Sequence, residues 1–423
     1  MRDLEVNFKP LSVLFGPNAA GKSNVLDALQ LLSRIATSRT LKEAFEPPYR
    51  GTPLESFSFG LEGVKSLLAK DTESFVFEVD VKLSDAVVEA VNHQIQEMKQ
   101  IKPGGSRKKK KSLALVKERF LRYRIEVEVL PRTGFFRVRN EYLAALYKKG
   151  DPTASRLPFL ELKEDRLHLR MEGQAHPTYY ERYLDHSILS LPLYPPHYPH
   201  LVAMRQELTS WFFFYFEPRE RMRTFNPVKE VRHIGLMGEE LAAFLNTLKA
   251  EEPRQFKGVE KSLQKLIPSI TGIKVDINNL GQVELELMER DTPIPASVLS
   301  EGTLRILGLL ALGGVKEPPA LLGFEEPENG IHPRRISLIS ELLKTYASRG
   351  NTQIIVTTHS PVLLDLIPED SLLICRKDED RTTIQSFNTL GPLMRRKDID
   401  QALITEDESP LPSELILRGD LDA

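Results

Sequence analysis

An eight-residue segment near the start of the chain has the pattern of a loop that binds phosphate groups. Residues 16–23 read Gly-Pro-Asn-Ala-Ala-Gly-Lys-Ser, which matches G-x-x-x-x-G-K-S. Gly16 and Gly21 allow the backbone N–H groups to turn toward an anion. Lys22 would reach the β- and γ-phosphates of a nucleotide, and the Ser23 hydroxyl would bind Mg²⁺. The alternative is a glycine-rich turn that ends in Lys-Ser by chance. The candidate nucleotide-binding residues are Gly16, Pro17, Asn18, Ala19, Ala20, Gly21, Lys22, Ser23 and Asn24.

Three side chains that could act on a bound nucleotide follow apolar segments late in the chain. Glu325 and Glu326 follow residues 319–324, and His359 follows residues 352–358. Parallel α/β sheets bind ligands beyond the carboxyl ends of their strands. We therefore expect Glu325 to hold Mg²⁺, Glu326 to act as general base toward water, and His359 to contact the γ-phosphate. A solvated acidic loop and an ordinary polar residue at a strand end are the structural alternatives.

A fourth candidate is the start of a long apolar helix after Ser300. Ser300 is typical of a helix N-cap, and Gly302 leaves the backbone uncovered. An uncovered helix N-terminus favours an anion, but the nucleotide of this chain already has its own phosphate loop. The expected ligand is therefore the γ-phosphate held by a second copy of the chain. The alternative is a capped core helix with no ligand.

The spacing of apolar residues predicts the elements that place these groups. Residues 11–15 have the length and composition of a buried strand, and residues 24–32 continue with helical spacing, so the loop lies between a strand and a helix. Residues 75–81 and 123–129 alternate apolar and polar positions, as expected for an antiparallel side sheet that also contains residues 135–139 and 167–171.

Other segments between the motifs predict helices and loops. A helix is expected over residues 84–102, and helical patterns recur over residues 179–266 around a proline-rich stretch. We expect the aromatic run 211–216 to fill the core, with a partner-binding patch as the alternative. Histidine is a common metal ligand, and three histidines lie in this region, namely His186, His197 and His200. The proline-rich context and the lack of nearby carboxylates favour a surface loop instead.

Composition excludes several classes of protein. The 57 Lys and Arg residues nearly balance the 59 Asp and Glu residues, so a nucleic-acid surface would have to be a local patch. Cys375 is the one cysteine, which excludes a disulfide scaffold and C-x-x-C zinc spacing. Apolar runs such as residues 306–315 are shorter than the ~20 residues of a membrane helix, and the charged start does not resemble a secretory signal. The expected compartment is the cytoplasm.

Four motifs follow one another in the order found in a known class of ATPases. They are G-P-N-A-A-G-K-S-N, L-S-E-G-T-L-R, E-E-P-E-N-G-I-H-P and T-T-H-S-P. Together they resemble the ABC-type ATPase heads of the SMC and RecF class, and most of all the stand-alone AAA-family ATPases related to overcoming-lysogenization-defect (OLD) nucleases. The resemblance covers residues 1–77 and 273–387. It implies an α/β fold of the P-loop NTPase type, with an antiparallel side sheet and a helical insertion, that uses ATP and Mg²⁺.

The resemblance also implies a dimer that sandwiches two nucleotides. The phosphate loop, Glu325, Glu326 and His359 of one copy would face a partner-site signature in the second copy. That signature is Ser300, Glu301 and Gly302, and the dimer seam is Asn329, Gly330 and His332. Glu325 stands where most relatives have Asp, and no glutamine occurs between Gln30 and Gln94 to serve as the usual metal sensor.

We predict five segments. Residues 1–84 form the N-terminal part of the ATPase lobe, 85–121 a helix with a basic loop, 122–175 the side sheet, 176–272 a helical arm and 273–423 the C-terminal part of the lobe. The basic loop contains Arg107, Lys108, Lys109, Lys110 and Lys111. It either contacts DNA or RNA phosphates or forms a solvated tip. No aromatic residue interrupts these lysines, which argues against base stacking.

The function expected from these features is an ATP-driven switch that pairs with itself and controls a separate effector. The segment after His359 is short for the Toprim nuclease domain of OLD nucleases, so we expect a nuclease, if one acts, to be another protein. The setting implied by the resemblance is prokaryotic anti-phage defence. The alternative is a RecF-like ATPase clamp that binds DNA in repair or recombination.

Overall fold

The fold was analysed in a computed structural model of the chain. It describes residues 3–46, 53–56, 63–100, 114–148, 150–153, 156–172, 176–313, 318–378, 381–389 and 411–417. The chain divides into two compact units. The first comprises Met1–Leu26 and Phe212–Ala423, and the second comprises Asp27–Trp211.

The first unit is built on a six-stranded sheet with the order β16-β15-β1-β14-β13-β8. Strand β1 pairs in parallel with β14 and β15, β13 pairs in parallel with β14, and β15 and β16 form an antiparallel hairpin. Every residue of β1 is buried, as expected for a central strand covered on both faces. The strands are β1 (Leu11–Phe15), β8 (Trp211–Phe214), β13 (Leu321–Glu325), β14 (Gln353–Thr357), β15 (Leu372–Asp378) and β16 (Arg381–Ser386).

A second, antiparallel sheet and, among the residues that the structure describes, seven α-helices complete this unit. The sheet contains β9 (Asn226–Pro227), β10 (Ile270–Ile277), β11 (Gln282–Glu289) and β12 (Thr292–Pro295). The helices within the described residues are α1 (Lys22–Thr37), which crosses the unit boundary, α6 (Leu241–Glu251), α7 (Pro253–Leu266), α8 (Glu301–Leu312), α9 (Ile336–Ser348), α10 (Pro361–Asp365) and α11 (Pro412–Leu417). Buried apolar residues of the four helices α6, α7, α8 and α9 and of the parallel strands form one continuous core.

The second unit is built on an antiparallel sheet of six strands in sequence order. They are β2 (Glu73–Lys82), β3 (Phe120–Leu130), β4 (Phe135–Ala145), β5 (Leu160–Lys163), β6 (Arg166–Leu169) and β7 (Thr178–Tyr180). Its α-helices are α2 (Leu41–Ala44), α3 (Val64–Leu68), α4 (Asp85–Gln100) and α5 (Pro199–Thr209). Along β3, Leu121, Tyr123 and Ile125 are fully buried and alternate with partly exposed residues, which is the pattern that predicted a one-sided sheet.

The α/β class and the antiparallel side sheet are confirmed, but the division of the chain differs from the predicted segments. The predicted boundaries at residues 84 and 272 do not coincide with those of the two units. The predicted helical arm 176–272 is split, because β8 joins the parallel sheet while α6 and α7 pack against β10 and α8. Four residues of the aromatic run 211–216 fill core positions as expected, namely Trp211, Phe213, Phe214 and Phe216, whereas Tyr215 is exposed. Residues 211–214 form strand β8.

The expectation that His200 lies on a surface loop is wrong. His200 is on α5 and fully buried, with its Nδ1 2.6 Å from the Oε1 of Glu172. Its Nε2 accepts hydrogen bonds from the backbone N–H groups of Lys117 and Glu118 at 3.1 and 3.0 Å. The ring therefore joins three segments of the second unit and is satisfied at both nitrogens.

In the parts of the chain that the structure describes, no helix combines the length and the apolar character needed to span a lipid bilayer.

Candidate nucleotide site

The loop between β1 and α1 has a backbone that only glycine can adopt at two positions. Gly16 has a φ of +142° and Gly21 has a φ of +97°. A Cβ at Gly16 would lie 2.1 Å from the carbonyl oxygen of Cys375 on β15, and a Cβ at Gly21 would lie 2.8 Å from the Oγ1 of Thr382 on β16. The β15–β16 hairpin thus packs directly against this loop, and its backbone leaves no room for a side chain there.

We therefore expect Gly16→Ala to lower the free energy of unfolding by roughly 2–4 kcal/mol. The added methyl group would clash with the backbone of Cys375, and alanine would be strained at the positive φ of this position. Urea denaturation without nucleotide measures the change. Gly258→Ala is the control, because Gly258 lies on α7 with open space around it. It should be neutral or stabilising by up to about 1 kcal/mol. Equal unfolding midpoints for Gly16→Ala and the unmodified chain would contradict the described loop geometry.

Lys22 is held inside the loop by the backbone. Its side chain is 4% exposed, and its Nζ donates hydrogen bonds of 2.9 Å to the carbonyl oxygens of Gly16 and Pro17. Burial lowers the pKa of Lys22 below its ordinary value, opposed by the negative charges of Glu326 and Glu325. An ammonium group that is removed from water and hydrogen-bonded to neutral carbonyl oxygens is stabilised by a nearby anion. The position of Lys22 therefore suits binding of a phosphate group.

Ser23 and Glu325 connect the loop to the end of β13. The Ser23 Oγ donates a 2.7 Å hydrogen bond to the Oε1 of Glu325. The two residues are 302 positions apart in sequence, and the parallel pairing of β1, β14 and β13 brings them together at the carboxyl edge of the sheet. A hydroxyl and a carboxylate oxygen at this spacing form a donor set that suits Mg²⁺.

Glu326 and His359 lie next to each other beyond the same edge. The Oε1 of Glu326 is 3.5 Å from the Nε2 of His359. The backbone of Glu326 has a φ of +45°, which is strained for a residue with a side chain, and its N–H donates to the carbonyl of Thr357 at 2.9 Å. Burial, followed by the charge of Lys22, lowers the pKa of His359, and the charges of Glu326 and Glu325 oppose this shift.

Glu328 was given no role from the sequence. It is 7% exposed, its Oε1 accepts a hydrogen bond from the Thr358 hydroxyl, and its Oε2 has no hydrogen-bond partner within the described residues. Burial raises the pKa of Glu328, and the charge of Glu326 adds to that shift. The only sequence signal was its place two residues after Glu326.

The N-cap of α8, Ser300, is exposed, Glu301 and Gly302 are half-buried, and the residues from Thr303 to Leu312 are buried. Ser300 caps the helix by accepting a hydrogen bond from the N–H of Thr303 at 3.2 Å. Glu301 pairs with Arg219. A Cβ at Gly302 would lie 2.8 Å from the carbonyl oxygen of Gly330, so the helix start and the segment predicted as a dimer seam are in contact within one chain. Asn329, Gly330 and His332 are exposed.

The predicted residues therefore form two clusters in the structure. The phosphate loop, Glu325, Glu326 and His359 form one cluster, and Ser300 to Gly302 with the segment around Gly330 form a second. The predicted basic loop, Arg107 to Lys111, lies outside the described residues.

The chain matches the family model described as "AAA domain, putative AbiEii toxin, Type IV TA system" over residues 11–365. It is also 28% identical over 142 residues to a protein named OLD nuclease from Thermus scotoductus. That alignment covers 33% of this chain and 27% of the relative, so the chain spans only about a quarter of the length of that protein.

Similar solved structures include three SMC heads. One is the Smc head bound to the C-winged helix domain of ScpA, with a TM-score of 0.46, 11% identity, and coverage of 90% of this chain and 91% of the other. The SMC head domain from Thermotoga maritima has a TM-score of 0.36, 12% identity and coverage of 90% and 92%. A third, from Pyrococcus furiosus, has a TM-score of 0.42, 10% identity and coverage of 91% and 93%.

Proposed function

The chain belongs to the AAA-domain family whose model it matches over residues 11–365, and from that premise we propose that it is an ATP-hydrolysing switch that pairs with a second copy through bound ATP. The observation that carries the ATPase part is the 2.7 Å hydrogen bond between Ser23 and Glu325, which joins the phosphate loop to the acidic strand end. A glycine-rich turn without a ligand has no reason to meet a carboxylate at the sheet edge where nucleotides bind.

Each residue of the first cluster has a role that follows from its position. The backbone N–H groups of residues 16–23 and the N-terminus of α1 bind the phosphates, and Lys22 exchanges its carbonyl partners for phosphate oxygens. Ser23 and Glu325 would hold Mg²⁺, which would neutralise the charge that develops on the phosphates.

Glu326 is the proposed general base for the attacking water. Its carboxylate lies beyond the end of β13, and the strained backbone holds it away from the strand direction. The His359 ring, whose Nε2 lies 3.5 Å from the Oε1 of Glu326, would donate an N–H hydrogen bond to a γ-phosphate oxygen, so it senses whether the phosphate is still attached. Hydrolysis transfers the γ-phosphoryl group to water, and Glu326 receives the proton of that water.

The exposed start of α8 supports the pairing part. A serine-capped helix N-terminus is a ready anion site, and here its cap residue, Ser300, is exposed. Two copies related by a twofold axis each offer this site to the γ-phosphate bound by the other. Glu301 and Gly302 are half-buried residues of the first turn of α8, and the exposed Asn329, Gly330 and His332 line the proposed seam beside it. ATP then joins the two copies, and hydrolysis removes the charge that held them.

The proposed output is control of a separate effector, a nuclease, in prokaryotic anti-phage defence. The support is the relative named OLD nuclease and the motifs shared with that class. The alternative is a DNA-binding clamp of RecF type, favoured by the basic run Arg107 to Lys111. ATPase stimulation by duplex DNA that disappears when Lys108 to Lys111 are neutralised would favour the clamp.

Complementation between two inactive variants tests the proposal. Ser300→Arg places a bulky cation at the exposed start of α8, so we expect normal ATP binding but no ATP-dependent pairing and hydrolysis below about 5% of the unmodified rate. Lys22→Ala blocks nucleotide binding. A mixed dimer contains one intact composite site, the loop of the Ser300→Arg copy with the helix of the Lys22→Ala copy. Mixing should therefore restore measurable ATPase activity.

Ser269→Arg is the matched control, because Ser269 is an exposed serine of the same unit at the start of β10. It should hydrolyse ATP and pair normally. If the two inactive variants never complement each other although each remains folded, the nucleotide site is complete within one chain and the pairing proposal is wrong.

A further inference from the structure

Thr357, the last residue of β14, has a buried hydroxyl group without a partner. The residue is 1% exposed, and its Oγ1 makes no hydrogen bond within the parts of the chain that the structure describes. Burying a hydroxyl in this way costs free energy, and valine would occupy nearly the same space in a strand without that cost. Core packing alone therefore does not account for a threonine at this position.

The strand register places Thr357 beside Glu325. Thr357 pairs with Glu325 on β13 and with Leu14 on β1, and residues in register on neighbouring strands point to the same face of a sheet. Neighbouring strands lie about 4.8 Å apart. The side chains of Thr357 and Glu325 are therefore adjacent at the carboxyl ends of their strands.

This face of the sheet is the one that α1 covers. Gly323 lies two residues before Glu325 and so shares its face, and a Cβ at Gly323 would be 3.2 Å from the Cδ2 of Leu26 on α1. At the start of the same helix, the Ser23 Oγ donates its hydrogen bond to Glu325. Thr357 thus borders the pair of residues to which the proposed function assigns Mg²⁺.

The main chain of Thr357 belongs to the same site. Its carbonyl oxygen accepts the 2.9 Å hydrogen bond from the N–H of Glu326, the proposed general base. Because this contact uses only the backbone, a change of side chain at Thr357 leaves it in place. The role of the hydroxyl can therefore be tested separately from the positioning of Glu326.

A bound Mg²⁺ ion needs hydrogen-bond acceptors around it. The ion takes six oxygen ligands in nearly octahedral geometry and keeps several of them as water. Ser23 and Glu325 supply only part of this set, and the waters that complete it are held by neighbouring polar groups. The Thr357 hydroxyl does not bond to the adjacent carboxylate, and its oxygen can accept a hydrogen bond without adding charge.

We propose that Thr357 is a positioning residue for Mg²⁺, because its hydroxyl oxygen accepts a hydrogen bond from a water molecule that is bound to the ion, and so fixes the ion against Glu325. This inference deepens the proposed function and rests on it. The hydroxyl then serves the metal and not the fold. Removing it should weaken Mg²⁺ binding without destabilising the protein.

Calorimetric titration of Mg²⁺ into the ADP-bound protein tests this role, because ADP makes the measurement independent of hydrolysis and of pairing. We expect Thr357→Val to weaken Mg²⁺ binding about 10- to 100-fold, the usual loss for a group that supports a metal through hydrogen bonds. ADP affinity in EDTA should stay within about threefold of normal. The urea unfolding midpoint without nucleotide should equal or exceed that of the unmodified chain, since a buried hydroxyl without a partner is removed.

Two further variants separate the hydroxyl from packing. Thr357→Ser keeps the hydroxyl, so its Mg²⁺ affinity should stay within about threefold of normal. Thr352→Val is the matched control, because Thr352 is a buried threonine directly before β14, at the opposite end of the strand from the site. It should bind Mg²⁺ like the unmodified chain.

The outcomes separate this inference from the function on which it rests. If Thr357→Val binds Mg²⁺ within about threefold of normal, or if Thr357→Ser loses as much affinity as Thr357→Val, the hydroxyl does not support the ion and the inference is wrong. The roles of Ser23 and Glu325 would then still stand. A lower unfolding midpoint for Thr357→Val would also overturn it, because the hydroxyl would then serve the fold. If the unmodified chain does not bind ADP at all, the proposed function itself fails.

Discussion

Replacing Lys22 by alanine is expected to lower the affinity for ATP at least about 100-fold, which corresponds to about 2.7 kcal/mol of binding free energy. The reason is the environment of the ammonium group. It is buried with two carbonyl oxygens as partners, and two charge-assisted hydrogen bonds to phosphate, at about 1.5–3 kcal/mol each, would replace them. Calorimetric titration with ATP and Mg²⁺ measures the loss.

The fold should survive this change. Only the hydrogen bonds to Gly16 and Pro17 are removed, and the desolvated charge disappears with them. Lys261→Ala, on the exposed face of α7, is the matched control and should bind ATP normally. ATP affinity within a few-fold of normal in a folded Lys22→Ala protein would remove the assignment of residues 16–23 as the nucleotide site.

Replacing Glu326 by glutamine is expected to leave ATP binding intact and to lower kcat about 100- to 1,000-fold, or about 2.7–4 kcal/mol in the activation barrier. Glutamine has the shape of glutamate but cannot take a proton from water. The contact with His359 and the backbone hydrogen bond to Thr357 are retained, so the site keeps its geometry. Because the charge that joins the two copies is then not removed, the variant should accumulate as an ATP-bound dimer.

Steady-state kinetics and light scattering of the same Glu326→Gln sample measure both effects. Glu341→Gln on the exposed face of α9 is the control and should resemble the unmodified chain in both measurements. Hydrolysis at more than about a tenth of the normal rate in Glu326→Gln would show that a different group accepts the proton, with Glu325 and Glu328 as the acidic neighbours to test next.

The elements that carry the site were predictable because their signals are local. The G-x-x-x-x-G-K-S pattern between a buried strand and an amphipathic helix specifies a strand, a loop and a helix without tertiary information. The Ser300 N-cap and the alternation along β2 and β3 are also local, and both agree with the structure. The contact between Ser23 and Glu325 was predictable from one general rule. The carboxyl ends of parallel strands lie at the same edge of a sheet, so residues that follow these ends are neighbours.

The features that were not predicted depend on contacts between distant segments. The aromatic residues of β8 have no alternation, so their place in the parallel sheet could not be inferred from the run itself. His200 appeared exposed because its carboxylate partner, Glu172, lies 28 residues away. Glu328 was given no role from the sequence, because its burial and its contact with Thr358 depend on a segment 30 residues away.

The central claim is that ATP bound by one copy is completed by α8 of a second copy. The most direct test is a crystal structure of Glu326→Gln protein with ATP and Mg²⁺. We predict a twofold dimer in which the Ser300 hydroxyl and the first N–H groups of α8 in each copy lie within hydrogen-bond distance of the γ-phosphate bound to Lys22 of the other. A structure with ATP in the phosphate loop and Ser300 of both copies facing solvent would contradict the claim.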